Sequence, residues 1–385
     1  MHRFVFRFLG FFLLTGSFES LAAPASIRKS SDITIYSDDK FYCAFPSIVR
    51  RRDGELLVAF RRAPDRRAFG EKGITHTDAN SYLVLVRSTD AGQTWSRPEL
   101  IYANPMGGSQ DPCMVQLRDN SLICSSYGWA FVKTEAIAGL KGSVHYGNYV
   151  FLGGFLVRSE NGGRNWSDAI IPAACRGETA RGLFGEPIPA YNRGAICEGH
   201  DGRLFWAIAS NTSTNSQQTE THLMISQDKG KTWQYSCPIA RDDRFSINET
   251  SLYQTPKGDL VAFMRTEGFN DHTIVARSTD GGRRFSQWID AEFKGHPHHA
   301  IQLPDQRVLL VYGYRHKPFG VRARVLDPEC TRFDGEEIVL REDGGNGDLG
   351  YPWATTLSRK RALVVYYFNK EDKTREIAGT FIDLE

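Results

Sequence analysis

The sequence predicts an all-β protein: a six-bladed β-propeller built from four-stranded antiparallel blades. Three observations carry that expectation. A turn motif recurs four times, a hairpin pattern recurs six times, and the composition is rich in strand formers and glycine. The turn motif reads Ser-x-Asp-x-Gly-x-Thr-Trp or a close variant, at residues 88–95, 159–166, 226–233 and 278–285. Its Asp or Asn can bond nearby backbone N–H groups, its Gly supplies a positive φ, and its aromatic packs beneath the turn. Self-similarity at a spacing of tens of residues decides an architecture before any local pattern does.

The hairpins interleave with these turns. Each is an apolar strand, a polar turn and a second apolar strand, starting at Pro46, Met114, Ala195, Thr250, His299 and Ala354. Asp-Gly or Lys-Gly between two apolar runs is a hairpin signal. In four copies another strand and the turn motif follow, which gives four strands per unit, the make-up of a propeller blade. The fifth unit carries a degenerate turn at 327–334. Closure of the ring falls to a strand at 33–36 beside 377–382. A seventh, divergent blade stays open as an alternative. No linker interrupts the pattern, so residues 30–385 read as one domain. Segments 131–149 and 210–221 look like insertions that could overhang a central pocket.

Composition agrees with many strands and many turns: Phe 24, Tyr 15, Trp 7 and Gly 36. A formal net charge of +2 gives no electrostatic case for nucleic acid. Residues 1–22 have the form of a signal peptide. His2, Arg3 and Arg7 make a basic start, 8–14 an apolar run, and 21–23 a small-residue cleavage site. That run is too short for a stable membrane span. The expectation is therefore a protein exported to the periplasm or secreted. Seven cysteines form no Cys-x-x-Cys pair. Export permits disulfides, but their pairing is not readable, and buried thiols are an equally good account.

Chemistry is sought where polar residues depart from the blade repeat. Arg61 and Arg62 end the first hairpin, and His76 and Asp78 open the next strand, offering an imidazole and a carboxylate for general acid or base work. Glu249 stands just before the fourth hairpin, which Arg265 ends. His296, His298 and His299 cluster before the fifth, with Arg315 and Arg322 downstream. Three histidines in four residues suggest a metal site, but no companion ligands accompany them and no metal or cofactor is assigned. Tyr351, between Gly350 and Pro352, is held on a stiff turn before the last hairpin.

The turn motif is the Asp-box, and the ordered set resembles the sialidase superfamily across nearly all of the chain after the leader. The resemblance implies an exo-acting glycosidase that removes a terminal sugar from an acidic glycan. It makes Tyr351 the nucleophile, Glu249 its base and Asp78 the acid/base. Arg265 and Arg322, with Arg315 as rival, would be carboxylate-binding arginines. A neutral Tyr hydroxyl, deprotonated by Glu, avoids the repulsion a carboxylate nucleophile would meet at an anionic anomeric centre. One departure matters. Where the family carries Phe-Arg-Ile-Pro, this chain has Cys43-Ala44-Phe45-Pro46, so the first arginine of the triad is Ala44. Arg61 or Arg62 could substitute, and His298 is a further candidate substrate binder. The extra histidines resemble a divergent branch that acts on rhamnose linked to glucuronate, by hydrolysis or elimination. There His76 would be acid or base, and Arg265 and Arg315 would hold a uronate. A non-catalytic glycan-binding propeller is the third reading, because Asp-boxes are structural.

Overall fold

A computed structural model describes Met1 and residues 27–71, 76–140, 148–211, 218–370 and 375–384. Beyond Met1, the expected leader at 1–22 lies outside the described residues. The chain opens with β1 (Ile27–Tyr36) and then lays down blades in sequence order. The first blade is β2 (Phe41–Arg50), β3 (Leu56–Pro64), β4 (Tyr82–Ser88) and β5 (Glu99–Tyr102). The second is β6 (Gly108–Gln116), β7 (Leu122–Phe131) and β8 (Tyr149–Ser159). The third is β9 (Cys197–Glu198), β10 (Leu204–Ser210), β11 (Glu220–Ser226) and β12 (Gln234–Ala240). The fourth is β13 (Ser246–Gln254), β14 (Leu260–Glu267), β15 (His272–Ser278) and β16 (Ile289–Lys294). The fifth is β17 (His298–Gln302), β18 (Val308–Tyr314), β19 (Gly320–Leu326) and β20 (Glu337–Arg341). The sixth joins β21 (Gly350–Ser358), β22 (Arg361–Phe368) and β23 (Glu376–Leu384) to β1.

That last pairing closes the ring. β1 lies antiparallel to β23, with Tyr36 opposite Ile377 and Ile27 opposite Leu384, so closure begins earlier in the chain than the sequence suggested. The second blade also differs from expectation. It has three strands, and a single bridge from Leu156 to Ile170 stands where an outer strand would run. The chain beyond it carries Pro172, Pro187 and Pro189, which cannot donate to a ladder.

The core is itself a ring. Six apolar clusters bridge neighbouring blades; Ile48 and Val58 of the first blade, for example, pack with Leu363 and Val365 of the sixth. Leu303 and Val311 of the fifth blade likewise meet Val364 and Tyr366 of the sixth. Each such side chain contributes about 1.5–3 kcal/mol on burial. The motif turns fold as their chemistry requires. Ser88 Oγ donates to Asp90 Oδ1 at 2.8 Å and accepts from Gly92 N at 2.9 Å, while Thr94 N donates to Asp90 Oδ1 at 2.9 Å. Gly92 has φ +90°, a conformation closed to most side chains. The degenerate fifth turn works similarly, with Asp327 accepting from the amides of Glu329, Thr331 and Arg332. All seven cysteines are free thiols, and only Cys197 is not fully buried.

The first strand of each blade lies nearest the axis, β2 beside β6 and β21, and β17 beside β13 and β21. The third blade reaches the axis through Gly194, just before β9. A Cβ there would sit 2.0 Å from the Thr250 carbonyl oxygen. Gly194→Ala is therefore expected to destabilise the fold by about 1–3 kcal/mol, as overpacking does. A melting curve unchanged from wild type would contradict this.

Candidate active site

Four axial strands share one device. β2, β6, β13 and β21 slip register between Ala44 and Ser47, Gln110 and Cys113, Asn248 and Ser251, and Gly350 and Trp353. The first residue inside each slip has positive φ: Phe45 59°, Asp111 40°, Glu249 40° and Tyr351 52°. A strained non-glycine residue costs on the order of 1–3 kcal/mol, and such residues cluster at functional sites. A bulge re-aims one side chain out of the strand's alternation. Here the re-aimed side chains meet one another from different blades.

Tyr351 of the sixth blade donates its hydroxyl to Glu249 Oε1 of the fourth at 2.5 Å. Arg265, at the end of β14, pairs through Nη1 with Glu249 Oε2 at 2.7 Å and donates to the Tyr351 hydroxyl at 3.2 Å. Arg315 follows β18. It donates to the Leu349 carbonyl at 3.2 Å and the Tyr367 hydroxyl at 2.8 Å, and its guanidinium lies 5.0 Å from the Tyr351 ring centre. Burial and the Glu249 charge push the Tyr351 phenol well above its ordinary value, against the pull of both arginines. Burial would raise Glu249, but Arg265 and the Tyr351 hydroxyl outweigh it and hold the carboxyl down to about 2. Glu249 is thus an ionised acceptor already bonded to the proton a nucleophilic tyrosine must lose.

His76 stands on the other side of Phe45. The Phe45 ring meets His76 edge-on at 5.2 Å and Tyr351 at 4.9 Å. His76 Nδ1 lies 3.2 Å from Asp348 Oδ1. Asp348 also accepts from Tyr42 at 2.9 Å, Tyr367 at 3.0 Å and Arg375 Nε at 3.0 Å. Burial opposes ionisation of Asp348, but His76 and Arg375 hold it well below the usual carboxylate range. With Nδ1 turned to an ionised Asp348, the His76 side chain stays 44% exposed, and among the described residues its other nitrogen has no hydrogen-bond partner, the arrangement acid–base work needs.

Two residues that sequence reasoning missed complete the cluster. Asp111 accepts from the Tyr127 hydroxyl at 2.6 Å, while its Oδ1 is buried with no hydrogen-bond partner among the described residues. Burial raises its carboxyl to about 6, Arg193 opposes that rise and Glu249 adds to it. Arg193, only 2% exposed, lies beneath Tyr351. Reading the residue before proline at the start of four of the six hairpins finds Asp111 beside Phe45, His296 and Tyr351, whereas Arg193, followed by Gly194, carries no such signal. Asp111 also makes a stability prediction. Its folded value is raised, so the stability it contributes is full at low pH and is lost as pH climbs from about 4 to about 6. The melting temperature of Asp111→Asn relative to wild type should therefore rise across that window and plateau above it. A pH-independent difference would refute the assignment.

A family model for the BNR repeat-like domain matches residues 129–361. The chain belongs to the BNR repeat-like domain family. This BNR repeat-like protein is 51% identical to a protein of unknown function from Dyadobacter fermentans, with 93% of this chain and 99% of that one covered at a TM-score of 0.91. The Hadza microbial sialidase Hz136 is 17% identical over 88% of this chain and 65% of its own, TM-score 0.63. The NanB sialidase from Streptococcus pneumoniae is 16% identical over 95% and 71%, TM-score 0.62. At that identity the sialidases show the fold alone, a six-bladed propeller. No curated protein matches the sequence.

Several expected site residues of the BNR repeat-like protein lie elsewhere. Asp78 has a fully shielded side chain gripped by Arg66, Nε to Oδ2 at 2.8 Å and Nη2 to Oδ1 at 3.0 Å, so it is not presented to a substrate. Arg61 faces Ala44 across the ladder, but it is fully buried beside the Tyr42 and Phe45 rings. Arg62 pairs with Asp38 at 2.8 Å and lies 3.4 Å from the Phe41 ring centre. Neither replaces the arginine missing at Ala44. Arg322 sits on the third strand of its blade, bonded to the Arg341 and Pro318 carbonyls, while Arg315 takes the place beside Tyr351. His298 is buried, with Nε2 at 2.8 Å from Thr273 Oγ1. His299 accepts from Ala354 N at 3.2 Å and stacks on Trp353, and His296 turns toward Asp271 at 3.6 Å. The three imidazoles diverge, so they do not form a common ligand set.

Proposed function

We propose that the protein is an exo-acting glycosidase for a terminal sugar acid of an acidic glycan. The observation that carries this reading is the Tyr351–Glu249 hydrogen bond at 2.5 Å, with Arg265 and Arg315 on the same phenol. The two guanidiniums bind the substrate carboxylate, and two in place of three make the clamp looser than a full arginine triad. Tyr351 oxygen attacks the anomeric carbon, its proton passes to Glu249, and the bond to the leaving oxygen breaks. His76, oriented by Asp348, donates the proton that the leaving oxygen needs, a role its exposure supports and the shielding of Asp78 opposes. Water then opens the tyrosyl–sugar bond with His76 as base, Glu249 returns its proton to the departing Tyr351 oxygen, and configuration is retained. Action outside the cytoplasm belongs to the same proposal and rests on the leader at 1–22.

The His76–Asp348 pair also supports a second reading, elimination from a uronate with His76 removing the C5 proton. The two separate cleanly. A 2,3-difluoro derivative of a 2-keto sugar acid should add one sugar mass to Tyr351, seen by peptide mass spectrometry. Time-dependent inactivation with the label elsewhere would remove Tyr351 as nucleophile.

A further inference from the structure

Arg193 is the least expected residue on the axis. It comes from the third blade yet ties together the bulges of three others. Its Nη2 donates to the Pro46 carbonyl at 2.9 Å and the Tyr351 carbonyl at 3.2 Å. Its Nη1 donates to the Pro112 carbonyl at 3.4 Å and Cys113 Sγ at 3.1 Å. These are the bulges that present Phe45, Asp111 and Tyr351. The guanidinium lies 5.4 Å from the Tyr351 ring centre and 4.9 Å from that of Trp353. A buried guanidinium is costly unless its N–H groups are bonded, and packing alone could be served by an apolar residue at lower cost. Four acceptors and two aromatic faces answer that cost here, and they place a permanent positive charge under the phenol.

We propose that Arg193 is a positioning residue for the nucleophile: it fixes the Tyr351 bulge on the axis and stabilises negative charge on the Tyr351 oxygen. The inference rests on the reading of Tyr351 as nucleophile, and it adds a third cation to Arg265 and Arg315. Those two face the substrate, whereas Arg193 is sealed beneath the ring and acts only through Tyr351.

The first test needs no substrate. 3,5-Difluorotyrosine is placed at position 351, and its ionisation is followed by fluorine NMR in the otherwise native chain, in Arg193→Met and in Arg193→Lys. The guanidinium lies 5.4 Å from the ring centre and is bonded to the Tyr351 carbonyl, so its charge acts on the phenolate through the ring. Arg193→Met should therefore raise the midpoint, and Arg193→Lys, which keeps the charge, should move it less. A folded Arg193→Met protein with an unchanged midpoint would overturn the proposal. If Arg193→Met does not fold, Arg193→Lys decides: a drop in kcat of about tenfold with KM unchanged supports positioning of the nucleophile, and a wild-type kcat contradicts it. Absence of turnover by the wild-type enzyme would count against the glycosidase reading, while the titration would still report on Arg193.

Discussion

Tyr351→Phe is expected to lower kcat by about 10³-fold or more while KM changes only a few-fold, because it removes the proposed nucleophile and little else. Phenylalanine keeps the ring that Phe45, Arg193 and Arg315 pack against. It removes one oxygen, and with it the 2.5 Å bond to Glu249. The freed Glu249 retains its pair with Arg265 at 2.7 Å, so the pocket should stay charged and closed. The variant should therefore fold and bind, and fail at chemistry. Equal losses in kcat and in ligand affinity would mean that Tyr351 serves recognition instead.

His76→Ala should have the next largest effect, and the effect should depend on the leaving group. A proton donor typically contributes about 10²–10⁴-fold. That contribution matters for a natural glycoside, whose departing alkoxide is a strong base. It matters little for an aryl glycoside, whose phenolate leaves unaided. His76→Ala should thus lose about 10²-fold or more on an oligosaccharide and much less on the aryl substrate. Asp348→Asn should follow the same pattern more weakly, since Tyr42, Tyr367 and Arg375 surround that carboxylate and the imidazole loses its orienting charge. Uniform losses on both substrates would place His76 outside proton transfer. A matching loss in Asp78→Asn would return the acid to Asp78, despite its burial against Arg66.

The two halves of the account were unequally legible in the sequence. The propeller could be read because its signals are local. A Ser-x-Asp-x-Gly turn closes its own hydrogen bonds within a few residues, and an apolar hairpin buries the same faces wherever it recurs. The second blade broke the pattern where prolines and glycines replaced a strand after Ile170. Tyr351, Glu249 and Arg265 could be ordered along the chain because each flanks an apolar hairpin. Asp111 and Arg193 were not found, although they occupy comparable positions at the starts of axial strands. Their importance comes from partners distant in sequence, such as Tyr127 and the bulges at Pro46 and Tyr351. Sequence order ranks Arg322 ahead of its rival Arg315, but Arg322 lies on the third strand of its blade, two strands out from β17 on the axis, whereas Arg315 follows β18 and reaches Leu349 next to Tyr351.

The most direct test of the central claim is a turnover assay of the purified protein on a sialoside, a rhamnosyl-glucuronide glycan and uronate-rich glycans. Released sugar and absorbance near 235 nm are recorded together. The account expects a free sugar acid to be released with no rise in absorbance, and that release to vanish in Tyr351→Phe. A rise near 235 nm would show an unsaturated uronate and make the enzyme a lyase. Tight binding with no product from any glycan would make the propeller a glycan-binding protein and contradict the catalytic reading of Tyr351 and Glu249.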